Sequence, residues 1–374
     1  MNARHIVVVV GTRPEAIKMA PVYLALKADP RVRATLLATA QHRHMLDQVL
    51  TVFDIRPDVD LDLMRADQTL AQVTAAVVTG VQDALAQLKP DAVLVHGDTT
   101  TCLASGLAAF YERVPLGHVE AGLRTYNFQA PWPEEMNRRL VDPICRWCFA
   151  PTRRAAENLR AERIREENIF VTGNTVIDAL LLARERVRRE PPSVPDLDLS
   201  RLEGKRLILV TGHRRESFGR PFEEFCLALR DIVERHADTV LVYPVHLNPN
   251  VQRPVNEVLY GCQRVHLIRP VEYLPFVYLM DRSTLIITDS GGIQEEAPTL
   301  GKPVLVTREV TERPEAVEAG LAKLVGTNRR RLADEASRLL EDGEAYAKMA
   351  RGDNPYGDGQ ASKRIVHAVV KASG

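Results

Sequence analysis

The sequence has no surplus of either charge: 49 Lys and Arg are matched by 49 Asp and Glu, leaving a formal net charge of zero. A nucleic-acid partner calls for a basic excess or a Lys/Arg stripe, and neither is present. Any polyanion bound here is therefore expected to be small and met by a few placed cations. Cysteine is scarce and odd in number, five in 374 residues, which argues against a disulfide framework. Cys145 and Cys148 have metal-ligand spacing, but no second pair exists and the stretch reads as helical, so buried thiols are expected rather than a metal site. Long apolar runs are missing as well; nothing approaches the roughly 18 uninterrupted residues of a membrane span. The start, Met1-Asn2-Ala3-Arg4 followed by a short run to Val10, lacks a signal-peptide plan. A cytoplasmic protein with no membrane partner is the expectation.

What the sequence does hold is an alternation of short apolar runs with longer helical patterns. Strands are expected at His5–Val10, Ala92–His96, Leu116–Val119, Leu207–Thr211, Thr239–Val245, Leu285–Thr288 and Pro303–Thr307, with amphipathic stretches such as Thr101–Glu112 and Phe222–Arg235 between them. Continuous Val/Ile/Leu runs mark strands buried on both faces, and strand–helix alternation gives doubly wound parallel sheets. The length suits two such domains. Composition breaks once, at Glu190–Ser200, with three prolines.

Ligands of open parallel sheets bind beyond the carboxyl ends of the strands, and the notable residues fall there repeatedly. After the first strand, GTRPEAIKMAP (11–21) gives Thr12 and Glu15 capping-box spacing and puts Arg13 and Lys18 near one helix start, a natural anion site. A well-capped helix with surface cations is the plainer reading of the same residues. Gly-x-Gly-x-x-Gly does not follow this strand, so the usual dinucleotide fingerprint is missing. Later, TDSGGIQEEAP (288–298) follows a strand directly. Ser290 can cap, Gly291 and Gly292 leave backbone N–H groups open to a diphosphate, and Glu296 is placed for ribose hydroxyls. Arg313, in TERPEA, is a further cation.

Three acids stand at strand ends or helix starts. Asp98 in HGDTTT has a helix N-cap as its ordinary role. Glu120 in GHVEAGLRT is an acid within an apolar run. Glu134 in PWPEEMNRRL could simply pair with Arg138 along a helix face. Converging on one site, three carboxylates would yield acid and base forms together. His213 in TGHRRES ends the first strand of the second half, beside Arg214 and Arg215. His246 sits at a similar strand end.

Taken together, GTRPEAIKMAP, TAQHR, HGDTTT, GHVEAGLRT, PWPEEMNR, TGNTVIDAL, TGHRRESFG, YPVHLNPN, TDSGGIQEEAP, TERPEA and NPYGDGQAS resemble, in order from residue 11 to 362, the non-hydrolysing UDP-N-acetylglucosamine 2-epimerases. The resemblance implies two Rossmann-like doubly wound domains facing across a cleft, as in glycosyltransferases of the B type. It divides them as 1–170, with 356–374 packing back on the first, and 171–355, placing the hinge near Phe170 rather than at the Pro-rich break. It implies that Arg13, Lys18, Asp98, Glu120, His213, Glu272, Phe276, Ser290, Gly291, Gly292, Glu296 and Arg313 contact a UDP-N-acetylhexosamine. Asp98, Glu120, Glu134 and His213, helped by Arg138, would carry the chemistry. Position 272 is Glu here and Gln in related sequences, a change that a backbone contact to uracil would survive. The family also implies a homodimer and no redox cofactor, in keeping with the missing fingerprint. A retaining glycosyltransferase, a hydrolytic epimerase and a catalytically dead sensor are the alternatives.

Some members of this family need a second UDP-N-acetylglucosamine beside the active site before they process the epimer, with motifs resembling QHRQ and RQTL. Here these read QHRH, with Gln41, Arg43 and His44, and DQTL, with Asp67 at the Arg position. An acid in place of a cation near a diphosphate turns attraction into repulsion, a swing of about 1–3 kcal/mol in a partly screened site. Activation by substrate is therefore expected to be weak or absent. Initial rates on pure UDP-N-acetylmannosamine should show no long lag; a lag abolished by a trace of the gluco epimer would refute this.

Overall fold

The computed structural model describes residues 3–371 apart from 40–42, 64 and 66. The chain forms two compact units, Met1–Leu182 with Tyr356–Gly374, and Ala183–Pro355. The first is built on β1 (Arg4–Val10), β2 (Val32–Ala38), β3 (Val59–Asp60), β4 (Ala92–His96), β5 (Leu116–Val119), β6 (Trp147–Ala150) and β7 (Ile169–Val171). They pair in parallel in the order β3-β2-β1-β4-β5-β6-β7. Its helices are α1 (Arg13–Ala28), α2 (Arg43–Val52), α3 (Leu70–Leu88), α4 (Thr100–Tyr111), α5 (Glu134–Val141), α6 (Arg153–Ala161) and α7 (Thr175–Arg189). Val7, Val9, Val93 and Val95 pack with Ala104 and Ala108 of α4 and Val77 and Val81 of α3. β1 and β4 are buried along nearly their whole length, the pattern of strands covered on both faces.

The second unit repeats the plan with β8 (Arg206–Thr211), β9 (Thr239–Pro244), β10 (Val265–Ile268), β11 (Leu285–Thr288), β12 (Val304–Val306) and β13 (Ala322–Leu324), in the order β10-β9-β8-β11-β12-β13. Helices α8 (Arg220–Arg235), α9 (Pro249–Leu259), α10 (Tyr273–Arg282), α11 (Gly291–Glu296), α12 (Pro314–Glu318), α13 (Arg329–Glu341) and α14 (Gly343–Ala350) connect the strands and follow the last one. Phe222, Phe225 and Leu229 of α8 fill the core over Ile208, Val210 and Leu241. In each sheet the strand order reverses once, between β1 and β4 and between β8 and β11. Such reversal points open a crevice at the carboxyl ends of the strands.

The chain then returns to the first unit through α15 (Ala361–Lys371), which packs on α1. The Asp178 carboxylate in α7 accepts from the backbone N–H groups of Ala361 (3.3 Å) and Ser362 (2.8 Å). A carboxylate at a helix N-terminus satisfies orphan donors and opposes the helix dipole. This tie keeps the first half of α7 with the first unit, and the division between the two compact units falls inside α7, after Leu182. The Pro-rich stretch 190–200 lies within the second unit.

Two local expectations need correction. The segment around Cys145 and Cys148 is not a helix: Cys148 lies in β6, and the Cys145 and Cys148 thiols, both buried, donate to the Val141 and Asp142 carbonyls. Four residues are too few to show a strand period, and β6 exists because β5 and β7 flank it. Ser290 stands at the N-cap of α11 without a side-chain capping bond.

Gly122, directly after the Glu120 turn, has φ +85°, and a Cβ there would stand 2.3 Å from the Ala155 carbonyl oxygen. The turn thus lies against the first turn of α6. Gly122→Ala should cost about 2–4 kcal/mol, from both backbone conformation and overlap. Gly204→Ala, at φ +65° with nothing within 4 Å, should cost about 1 kcal/mol. Equal urea midpoints for the two variants would show that the Ala155 contact carries no weight.

Candidate active site

In the first unit the site grows from two helix starts braced on each other. Thr12 caps α1 and Glu15 completes the capping box, its carboxylate accepting from the N–H groups of Gly11 (2.9 Å) and Thr12 (2.7 Å). The same carboxylate accepts from the Thr99 hydroxyl at 2.5 Å. Burial pushes the Glu15 carboxyl up, while the hydrogen bonds from Thr99, Gly11 and Thr12 oppose the shift. Thr99 in turn caps α4 by accepting from Cys102 N–H at 3.0 Å. Arg13, half-buried, therefore stands at the first turn of a rigid α1, with Lys18 further along it.

Thr99 is also why Asp98 does not serve as a cap. Its carboxylate is left to pair with the Arg138 guanidinium, and Asn137 donates to the Asp98 carbonyl at 2.8 Å. Arg138 reaches back from α5 to Asp98 and to buried Glu135 (3.4 Å). The helix-face pair that was the plainer alternative for Glu134 and Arg138 gives way to these contacts. Glu135 is anchored by the N–H groups of Thr125 (3.0 Å) and Tyr126 (2.9 Å). Glu134 opens α5 and is half-buried.

Glu120 lies just past the end of β5 at φ +69°, in the left-handed region. Its carboxylate is ion-paired with Lys18 and accepts from the Asn174 amide at 2.9 Å. A Cβ on Gly97 would lie 3.9 Å from Glu120 Oε1, so the Glu120 carboxylate stands beside the residue that precedes Asp98. Beneath both turns is a buried chain of charge. His118 bridges the Gly97 carbonyl (2.7 Å) and Asp142 (2.6 Å), and Arg124 bridges Asp142 (2.5 Å) and Glu162 (2.7 Å). Burial pushes the Asp142 carboxyl up, but His118 and Arg124 beside it outweigh that and hold it below the usual carboxylate range.

In the second unit, β8 and β11 are neighbours, and their terminal Thr211 and Thr288 hydroxyls hydrogen-bond at 2.6 Å. Buried Asp289 accepts from the backbone N–H groups of His213 (2.6 Å) and Arg214 (2.7 Å). This holds the His213 ring partly exposed and stacked on His246, 5.1 Å between centroids at 11°. Gly291 and Gly292 have neither positive φ nor crowding: the nearest atoms to an added Cβ lie 3.8 Å and 4.0 Å away. Among the described residues nothing demands glycine at either position; a ligand close to the backbone N–H groups would. Arg313 caps no helix with its side chain but ion-pairs with buried Glu295, and Glu296 is buried one residue on. Glu272 is exposed at the N-cap of α10, with Phe276 half-buried on its first turn.

Lys18, Asp98, Glu120 and Arg138 are thus assembled in one unit, and His213, Ser290, Gly291 and Gly292 follow the carboxyl ends of two adjacent parallel strands in the other. Gln41 and the side chains of Arg43 and His44 lie outside the described residues; Asp67 is exposed, at φ +58°. Sequence reasoning missed Asn174, His96 and Asp289. Asn174 lies in the matched TGNTVIDAL, and that was its one signal. An 890 Å³ groove along β7 and α15, lined by Phe170, Val171, Lys363 and His367, includes none of the candidate residues.

Residues 24–370 match the family described as UDP-N-acetylglucosamine 2-epimerase. A UDP-N-acetylglucosamine 2-epimerase of Escherichia coli (strain K12) is 55% identical over 371 residues, covering 97% of this chain and 98% of the relative. The crystal structure of the UDP-GlcNAc 2-epimerase of Neisseria meningitidis bound to UDP-GlcNAc is 48% identical, covers 98% of this chain and 100% of that one, and superposes with a TM-score of 0.85. A putative UDP-N-acetylglucosamine 2-epimerase of Listeria monocytogenes is 50% identical, covering 98% of this chain and 96% of that one, with a TM-score of 0.93. With two glycosyltransferase-B-like parallel-sheet units and matches of this extent, this chain belongs to the UDP-N-acetylglucosamine 2-epimerase family.

Proposed function

We propose that the chain epimerises UDP-N-acetylglucosamine at carbon 2 by eliminating and re-adding UDP. The observation that supports this most is the pair of carboxylates at neighbouring strand ends, Asp98 and Glu120, each matched to a cation. The hydrogen on carbon 2 has no adjacent carbonyl to acidify it, so its loss must be coupled to departure of UDP from carbon 1. A carboxylate takes the proton, the C–H electron pair becomes the C1=C2 double bond, and the C1–O pair leaves with UDP. Re-addition with a proton delivered to the opposite face gives the manno epimer, with electrons balanced and no redox partner required. Glu120, Asp98 and Glu134 serve as the acid–base set, with Arg138 orienting Asp98. Of the groups the family reading assigns to the departing diphosphate, Arg13 and Lys18 belong to the first unit, and His213, Arg313 and the Gly291 and Gly292 N–H groups to the second; the Ser290 N–H is already taken by the Thr288 hydroxyl at 2.9 Å. Glu296 takes the ribose and Phe276 with the backbone of Glu272 the uracil. The family reading also makes the working form a cytoplasmic homodimer; among the described residues no helix is long and apolar enough to cross a membrane.

Incubation with UDP-N-acetylglucosamine alone in heavy water, read by NMR and mass spectrometry, should give UDP-N-acetylmannosamine carrying deuterium at carbon 2. Product without solvent deuterium would end the elimination reading, and free N-acetylmannosamine would point to the hydrolytic enzyme. In the same assay Asp98→Asn, Glu120→Gln and Glu134→Gln should each lower turnover by at least roughly a hundredfold. Glu166→Gln, at an exposed pair with Arg160, should be silent.

A further inference from the structure

We propose that His96 is a positioning residue that sets the proton affinity of Glu120, its Nε2 being the acceptor that this carboxyl meets only after it has taken up a proton. This deepens the epimerase reading and rests on Glu120 as an acid–base group within it. His96 closes β4, is buried at 3% exposure, and pairs in parallel register with Val119, the residue before Glu120. Its Nε2 lies 3.8 Å from Glu120 Oε2 and has no hydrogen-bond partner among the described residues. A hydrogen bond to the residue's own backbone also favours a proton on the ring, which in the proposed tautomer sits on Nδ1 and leaves Nε2 bare. Burial keeps the imidazole neutral, its titration moved down to about 3; Glu120 pulls it up, and Lys18 and His118 push it down.

A neutral imidazole that donates through one nitrogen presents a bare lone pair on the other. Facing an ionised carboxylate, that lone pair is repelled and unsatisfied. Facing a carboxylic O–H, it accepts a hydrogen bond once the two atoms close by roughly 1 Å. On its other side the same oxygen, Oε2, receives Lys18 and Asn174, donors that favour the ionised form. Glu120 thus has neighbours suited to each of its protonation states. When Lys18 turns to the negative charge of the substrate, the ionised form loses its cation while the acceptor for the protonated form stays in place. The proton from carbon 2 then bonds to Glu120, the C–H electrons form the C1=C2 bond, UDP carries off the C1–O pair, and the new carboxyl O–H donates to His96. Return of the proton reverses each step.

The test compares His96→Leu, which removes the acceptor, with His96→Gln, whose amide oxygen restores one at similar reach. Melting curves with and without UDP establish that both variants are folded. His96→Leu should lower kcat by roughly ten- to a hundredfold with KM little changed, and should enlarge the primary isotope effect on substrate deuterated at carbon 2. His96→Gln should recover most of the rate and the wild-type isotope effect. Equal rates in the two variants, or an isotope effect unmoved in His96→Leu, would overturn the proposal. A second measurement needs no variant: the 15N spectrum of wild-type protein labelled at histidine should show His96 Nε2 without a proton at neutral pH. A protonated Nε2 would overturn the proposal equally. A wild-type chain that leaves UDP-N-acetylglucosamine unchanged would defeat the epimerase reading instead, and the nitrogen spectrum would then decide the state of His96 by itself.

Discussion

Parallel pairing of β4 with β5 is the constraint on which the chemistry of the first unit depends. Both strands run the same way and His96 stands beside Val119, so Asp98 and Glu120 must emerge on the same edge of the sheet. Two backbones turning away there need conformations that ordinary residues resist: Gly97 has φ +71° and Glu120 φ +69°. A non-glycine residue in that region costs about 1–2 kcal/mol. The ion pair with Lys18 and the amide of Asn174 hold it in place. Underneath, His118 joins the Gly97 carbonyl to Asp142, and Arg124 continues the chain to Glu162. Buried charges of this kind are stable only when every member is partnered. That requirement makes the two turns one structural unit.

The two units offer opposite chemistries from the same architecture. The first presents carboxylates held by cations, suited to moving protons. The second presents backbone N–H groups, a partly exposed imidazole and Arg313, suited to negative charge that leaves and returns. In both, the groups occupy the ends of strands next to the point where the strand order reverses. The elimination proposed for this chain calls for groups of both kinds, a base for carbon 2 and donors for the leaving diphosphate.

Much of this was legible in the sequence because buried parallel strands are short, continuous and apolar. Ala92–His96, Leu116–Val119 and Leu285–Thr288 coincide with β4, β5 and β11. The capping box of Thr12 and Glu15 was likewise visible from spacing alone. Pairings were not. Asp98 looks like a cap until Thr99 is seen to occupy that role, and Glu134 looks like the partner of Arg138 until Asp98 and Glu135 take the guanidinium. Such choices are settled by contacts distant in sequence, which no local pattern encodes. β6 escaped notice for the same reason, since its strand character comes from its neighbours. The end of the first unit lies in α7 because Asp178 caps α15, a bond spanning more of the chain than any local motif can report.

The way Asp289 holds the His213 turn has a consequence for how that position can vary. The carboxylate grips the backbone N–H groups of residues 213 and 214, not their side chains. Any non-proline residue at 213 keeps the same two anchor points, so the loop's course is written by position 289 and its chemistry by position 213. The two can drift apart independently: a relative could exchange its imidazole for another group while retaining the turn. The converse does not hold, because loss of the buried acid would release the main chain and whatever side chain it carries.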